Sequence, residues 1–134
     1  MRTPLIAGNW KMNTTLMEAQ TLVHQMLGAL NRIAGVEILI CPPFISLAAI
    51  NEMCQGSAIQ LGAQNMYWED KGAFTGEISP LMLAPLCEYV LLGHSERRNL
   101  FQESDELIAR KVRSALRAHL RPVLCVGERL EENE

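Results

Sequence analysis

Residues 91–98 read LLGHSERR, and this junction decides how the rest of the chain is read. Tyr89, Val90, Leu91 and Leu92 form a short apolar run of buried-strand type, and the polar SERR that follows suits a helix. Gly93 lets the backbone turn between the two, and Ser95 is placed to cap the helix. Parallel α/β proteins keep their chemistry at strand-to-helix junctions of this kind. The reactive candidate here is His94. A histidine at a helix start meets the positive end of the helix dipole, which disfavours imidazolium. The neutral ring can then donate a hydrogen bond to a substrate oxygen without carrying charge.

The same alternation repeats outward from this junction. Apolar runs at residues 5–7, 36–40, 59–61, 89–92 and 123–126 predict five strands. Thr15 and Glu18 form a capping box ahead of Leu16, Ala19, Leu22, Val23, Met26, Leu27 and Leu30 at helical spacing, up to Gly35. Shorter helices are predicted over residues 44–54, stopped by Gly56, and from Ser79 to about residue 84, where Pro80 suits the first turn and Pro85 ends it. Ser104, Asp105 and Glu106 open another, whose Ile108, Val112, Ala115 and Leu116 are expected to share a face.

Strands dense in apolar residues, separated by helices and without hairpin signals, predict a parallel sheet. Right-handed crossovers bring all the carboxyl ends to one rim, with Asn9, Lys11, Pro42, Asn65, His94 and Gly127. Lys11 supplies a fixed positive charge suited to a phosphate ester or an enediolate. Asn9 points to the same face as Lys11 if the strand persists. A lone lysine at a strand end is most often a solvated charge, and a lone histidine is most often structural. Together on one rim they point to a site.

Composition narrows the classes. At 134 residues and 49% hydrophobic content the chain is long and apolar enough for one globular domain. Its net charge of -3, with Lys and Arg scattered, argues against a nucleic-acid partner. Cys41, Cys54, Cys87 and Cys125 lack C-x-x-C spacing, which suits reduced thiols in a cytoplasmic protein better than a zinc site or disulfide scaffold. No run approaches the roughly 18 apolar residues of a membrane helix, and MRTPLIAGNWK lacks a signal-peptide core, so no membrane partner is expected. Residues 65–77, NMYWEDKGAFTGE, form a loop long enough to suggest a lid or an arm into a partner, against the plainer reading of a packed surface loop. The acidic ERLEENE suits the first turn of a helix, and from Gly127 onward the chain reads as the opening of a further loop and helix rather than the close of a domain.

The motifs GNWKMN (8–13), CPPF (41–44), GAQN (62–65), GAFTGEIS (72–79), GHSERR (93–98), ESDE (103–106) and PVLCVGE (122–128), in this order, resemble the triosephosphate isomerase family over the whole chain. The resemblance implies an α/β fold, the parallel eight-fold β/α barrel (TIM barrel) of about 250 residues. Residues 1–134 would be the N-terminal part of a single barrel domain, a fragment with about its first four and a half β/α units. It also implies interconversion of dihydroxyacetone phosphate and glyceraldehyde 3-phosphate, as in glycolysis and gluconeogenesis, through an enediolate and without a metal or organic cofactor. By the same resemblance Asn9 and Lys11 bind substrate and His94 is the electrophile, a neutral histidine at a helix start being a feature of that family. Ser95 caps the helix, and Glu96 contacts the lysine region in a supporting role. The resemblance further makes the full-length protein a homodimer, with Thr75 and Phe74 at a loop tip that enters a partner pocket around Met12. The family's general-base glutamate, mobile lid and glycine-rich phosphate-binding segment have no counterpart before Glu134, so the chain alone is expected to be inactive. A different class, a non-catalytic half-barrel that self-associates or binds a phosphorylated metabolite, needs no base. Against it stands the retained pair Lys11 and His94.

Overall fold

The computed structural model describes residues 1–133. Five strands, β1 (Leu5–Asn9), β2 (Glu37–Cys41), β3 (Ile59–Ala63), β4 (Tyr89–Leu92) and β5 (Arg121–Leu124), form one parallel sheet in sequence order, curled into half a barrel. Helices α1 (Leu16–Leu30), α2 (Leu47–Cys54), α3 (Pro80–Leu83), α4 (Ser95–Leu100) and α5 (Asp105–Arg117) fill the crossovers. Three of their starts follow from local chemistry. Glu18 N–H donates to Thr15 Oγ1 while Thr15 N–H donates to the Glu18 carboxylate, the predicted capping box. Ser79 and Ser104 accept from the backbone N–H groups of Met82 and Leu107.

Alternation along each strand divides the apolar residues between two layers. Ile38 and Ile40 of β2, Ile59 and Leu61 of β3, and Val90 and Leu92 of β4 pack against the helices, with Val23, Leu47 and Ile50. Leu39, Cys41, Tyr89 and Leu91 form a smaller cluster on the concave face, flanked by Leu5 and Val123. Gly62 of β3 belongs to that concave face. A Cβ there would lie 2.8 Å from Cys41 Sγ and 3.3 Å from Tyr89 Cβ, so neighbouring strands already occupy its space. Burial pushes the Cys41 and Cys87 thiols up to about 12, which keeps them protonated packing groups.

The structure shifts two boundaries and one helix face. The stretch 44–54 is not one helix. Without a side-chain cap its first turn tightens into a 3-10 turn, Phe44–Ser46, before α2 begins. The fifth strand starts at Arg121, two residues earlier than its apolar run suggests, and contains Pro122. Arg121 N–H and Cys125 N–H donate toward β4, to Glu88 O and Leu92 O, so the alternate position, Pro122, turns its missing N–H to the open edge, where a proline is tolerated. On α5 the expected apolar face is also corrected. Leu116 is 57% exposed, and Lys111 is buried beside Ile108 and Ala115.

Candidate active site

Lys11 and His94 reach the same rim by different local means. Strand β1 ends at Asn9, and Lys11 adopts a left-handed backbone with φ of 56°, so the expectation that a continuing strand aligns Asn9 with Lys11 does not hold. The two are joined instead by a tight turn. Asn9 Oδ1 accepts the Lys11 N–H at 3.0 Å, the local hydrogen bond for which asparagine is suited. A left-handed lysine costs on the order of 1 kcal/mol and persists only where its surroundings hold it. Gln64, just past β3, provides that hold: its Nε2 donates to Lys11 O at 2.8 Å and to Cys41 O at 2.9 Å, tying the ends of β1, β2 and β3 together. Reading by residue type passed over Gln64, although it stands inside the GAQN motif.

At the end of β4 the helix begins one residue earlier than expected. Ser95 is not the cap but the exposed first residue of α4, and the capping group is the His94 ring, whose Nδ1 accepts the Glu96 N–H at 3.2 Å. The physical reason is that Gly93, with φ of 71°, completes the turn by itself, which leaves His94 extended and its ring folded over the first free N–H groups. An Nδ1 that accepts carries no proton, so the ring proton sits on Nε2 and the imidazole is a neutral donor. Glu96 Oε2, 3.6 Å from the same Nδ1, is therefore a neighbour and not an ion pair. His94, Gly93, Ser95, Arg98 and Cys125 line an open cleft of about 780 Å³.

Glu96 connects the two halves of the site. Lys11 Nζ donates to Glu96 Oε1 at 2.6 Å. Both side chains are about half exposed, 52% and 44%, so the pair adds little to stability, and what it does is fix where the ammonium stands. The hydrogen bond from Lys11 holds the Glu96 carboxyl below its ordinary range; burial opposes it, and the charge of the Lys11 ammonium acts in the same direction as the hydrogen bond. A lowered carboxyl contributes stability above the ordinary range and loses it as pH falls through the lowered midpoint. In the full-length protein, a carbon NMR titration of Glu96 is expected to give a midpoint below 4.5, and Lys11→Met is expected to raise it. A midpoint at or above 4.5 in the unsubstituted protein would mean that the pair does not persist in solution.

A second charged group, buried and absent from the sequence reading, braces the rim. Glu103 accepts from Lys111 Nζ and lies 3.2 Å from Arg97 Nε, and Lys111 Nζ also donates to Asn65 Oδ1 at 2.9 Å. Burial alone would push the Glu103 carboxyl up, but the Lys111 ammonium and the Arg97 guanidinium outweigh it and hold it below its usual range. This cluster joins α4, the turn before α5, α5 itself and the start of the long loop after β3.

That loop is closed at its base by Tyr67 N–H to Ile78 O at 2.8 Å and pinned to α5 by Ser114 Oγ to Trp68 O at 2.7 Å. Thr75 stands exposed at its tip. Phe74 is partly turned inward, its ring centroid 4.6 Å from that of Tyr67. Met12, next to Lys11, is 97% exposed. Among the described residues no helix is long and apolar enough to cross a membrane.

Comparison with known proteins agrees with this fold. The family model described as Triosephosphate isomerase matches residues 4–134. The triosephosphate isomerase of Dehalococcoides mccartyi is 58% identical over 134 residues, which cover 100% of this chain and 53% of the relative. That of Carboxydothermus hydrogenoformans is 52% identical over 135 residues, covering 100% of this chain and 54% of the relative. The crystal structure of triosephosphate isomerase from Bartonella henselae superposes with a TM-score of 0.91 at 42% identity, covering 98% of this chain and 55% of that one. The chain thus spans about half the length of the curated relatives it matches.

Proposed function

Because this chain belongs to the triosephosphate isomerase family, we propose that residues 1–134 supply the substrate-binding and electrophilic half of an enzyme that interconverts dihydroxyacetone phosphate and glyceraldehyde 3-phosphate. The observation that carries this reading is the linkage of Lys11 through Glu96 to the helix that His94 caps. Lys11 offers its ammonium to the phosphate and to the charge of the enediolate. His94 donates from Nε2 to the carbonyl oxygen as negative charge grows there, then moves protons between the two oxygens of the enediolate. Asn9 shapes the turn that presents Lys11 and adds a neutral amide to the substrate pocket. The base that removes the carbon-bound proton is assigned by the resemblance to a later strand. On this reading the substrate is a small phosphorylated triose, the protein acts in the cytoplasm, and no metal or organic cofactor takes part.

The test is turnover of glyceraldehyde 3-phosphate by the full-length protein carrying this sequence. A protein that binds the triose phosphate without converting it would instead be the binding module.

Dimerisation belongs to the same proposal. The exposed Thr75 tip is the arm, and the surface around Met12 on a second copy is its socket, so the dimer helps to hold Lys11. Thr75→Arg forces a guanidinium into that contact, at a cost of several kcal/mol where it cannot reach water. The dissociation constant should rise roughly 100-fold or more, with turnover falling alongside. Sedimentation and rate measured on one preparation check this. A stable dimer with unchanged turnover would make the loop a surface feature only.

A further inference from the structure

Arg98 grips both peptide groups that flank His94. Its backbone N–H donates to His94 O at 3.1 Å, as helix geometry requires, and its side-chain Nε donates to Gly93 O at 2.7 Å. The same guanidinium reaches Cys125 O through Nη2 at 3.4 Å and Asp105 Oδ1 through Nη1 at 2.6 Å. The β4–β5 ladder ends at Cys125 N–H to Leu92 O, and the planar fork of the arginine supplies donors to a carbonyl on each chain just beyond that end. Three directions are thereby fixed at once: the end of β4, the end of β5 and the first turn of α5.

These contacts differ in weight. Asp105 is 89% exposed, so its ion pair is largely screened by water. The bond to Gly93 O is partly buried and acts on a residue with unusual freedom. Gly93 has φ of 71°, and a Cβ on it would come within 2.9 Å of Arg98 Nη2 and 3.2 Å of Ile108 Cγ2. Its backbone is thus packed between Arg98 and α5, and its carbonyl needs a donor to stop the Gly93–His94 peptide from rotating. Among the described residues the ring of His94 has one hydrogen bond, the 3.2 Å bond from Glu96 N–H.

We propose that Arg98 is a positioning residue for His94: its guanidinium locks the Gly93 carbonyl and so sets the direction in which the imidazole presents Nε2. This rests on His94 being the electrophile of the proposed isomerase. Misplacing a catalytic group by about 1 Å costs on the order of 100-fold in rate. On the proposed function Lys11 binds substrate, and the side-chain hydrogen bonds of Arg98 go to Gly93, Asp105 and Cys125 and not to Lys11.

The test uses the full-length protein carrying this sequence with Arg98→Met, Arg98→Lys or Asp105→Asn. Arg98→Met is expected to lower kcat by about 10- to 100-fold, with KM changed by less than about threefold. Arg98→Lys, one ammonium in place of a fork, should fall between it and the unsubstituted protein, and Asp105→Asn should stay within about twofold. In nitrogen NMR of the ligand-free protein, His94 should show a protonated Nε2 and an unprotonated Nδ1, and Arg98→Met should shift or broaden both signals. Unchanged kcat and ring signals in Arg98→Met overturn the proposal. So does a loss in Asp105→Asn equal to that in Arg98→Met, or a rise in KM that accounts for the whole effect. If the unsubstituted protein has no isomerase turnover, the proposed function fails, and the ring signals alone then decide whether Arg98 orients His94.

Discussion

Residues 1–134 prepared alone are expected to convert glyceraldehyde 3-phosphate at least about 10⁴-fold more slowly than a full-length enzyme of the family. A positioned proton transfer contributes about 10² to 10⁴-fold by itself, and the resemblance assigns the base to a strand after β5. The resemblance places the phosphate-binding segment and the lid there too, and losing them removes orientation and the exclusion of water as well. On the proposed roles, Lys11 paired with Glu96 and the donor His94 bind and polarise the substrate, while the resemblance assigns the group that takes the proton from carbon to a later strand. A coupled assay on protein produced in a host lacking its own isomerase checks this. Turnover near that of a full-length enzyme would place the base within residues 1–134 and overturn the assignment of roles.

The second large effect concerns the fold of the same polypeptide. In the half-barrel, β1 and β5 each lack a neighbour on one side, and the concave core is small. Ile6 on β1 is 60% exposed and Leu124 on β5 is 47% exposed, while all four residues of β4 are buried. Pro122 blunts the β5 edge at one position only, and the remaining N–H and C=O groups of both edges stay open to pairing with another chain. The concave cluster is buried but small, four residues flanked by Leu5 and Val123, against the much larger layer under the helices. The polypeptide is therefore expected to associate with itself or to behave as a loosely packed state, with broad, concentration-dependent unfolding. Sedimentation velocity and calorimetry across a concentration series measure this. A sharp transition of a monomer, unchanged by dilution, would show that the convex layer against the helices suffices.

Legibility in the sequence followed the range of the interactions. The caps at Thr15, Ser79 and Ser104 were readable because each joins a side chain to a backbone N–H three residues away. The five strands were readable because apolar runs between helical patterns admit few alternatives. Boundaries failed where a neighbour on another element decided them. Pro122 enters β5 only because its missing N–H faces the free edge, and Leu116 loses its place on α5 because Glu103 and Asn65 hold Lys111 in the interior. Ser95 looked like the cap by residue type, yet the ring beside it reaches the same N–H groups first.

By itself, then, the sequence determined the order of strands and helices, the parallel sheet, and the gathering of Asn9, Lys11 and His94 on one rim. Periodicity, capping and the handedness of crossovers act over short spans, and these follow from them. Only the tertiary structure decided which atoms meet there. Gln64 holds Lys11 across 53 residues of sequence, Glu96 receives its ammonium across 85, and Arg98 reaches Cys125 across 27. The Glu96 contact was named only by family resemblance, and the other two by nothing in the residue pattern. Such pairs depend on the register and curl of the sheet, which place strand ends within hydrogen-bond reach, and residue spacing along one chain carries no measure of either.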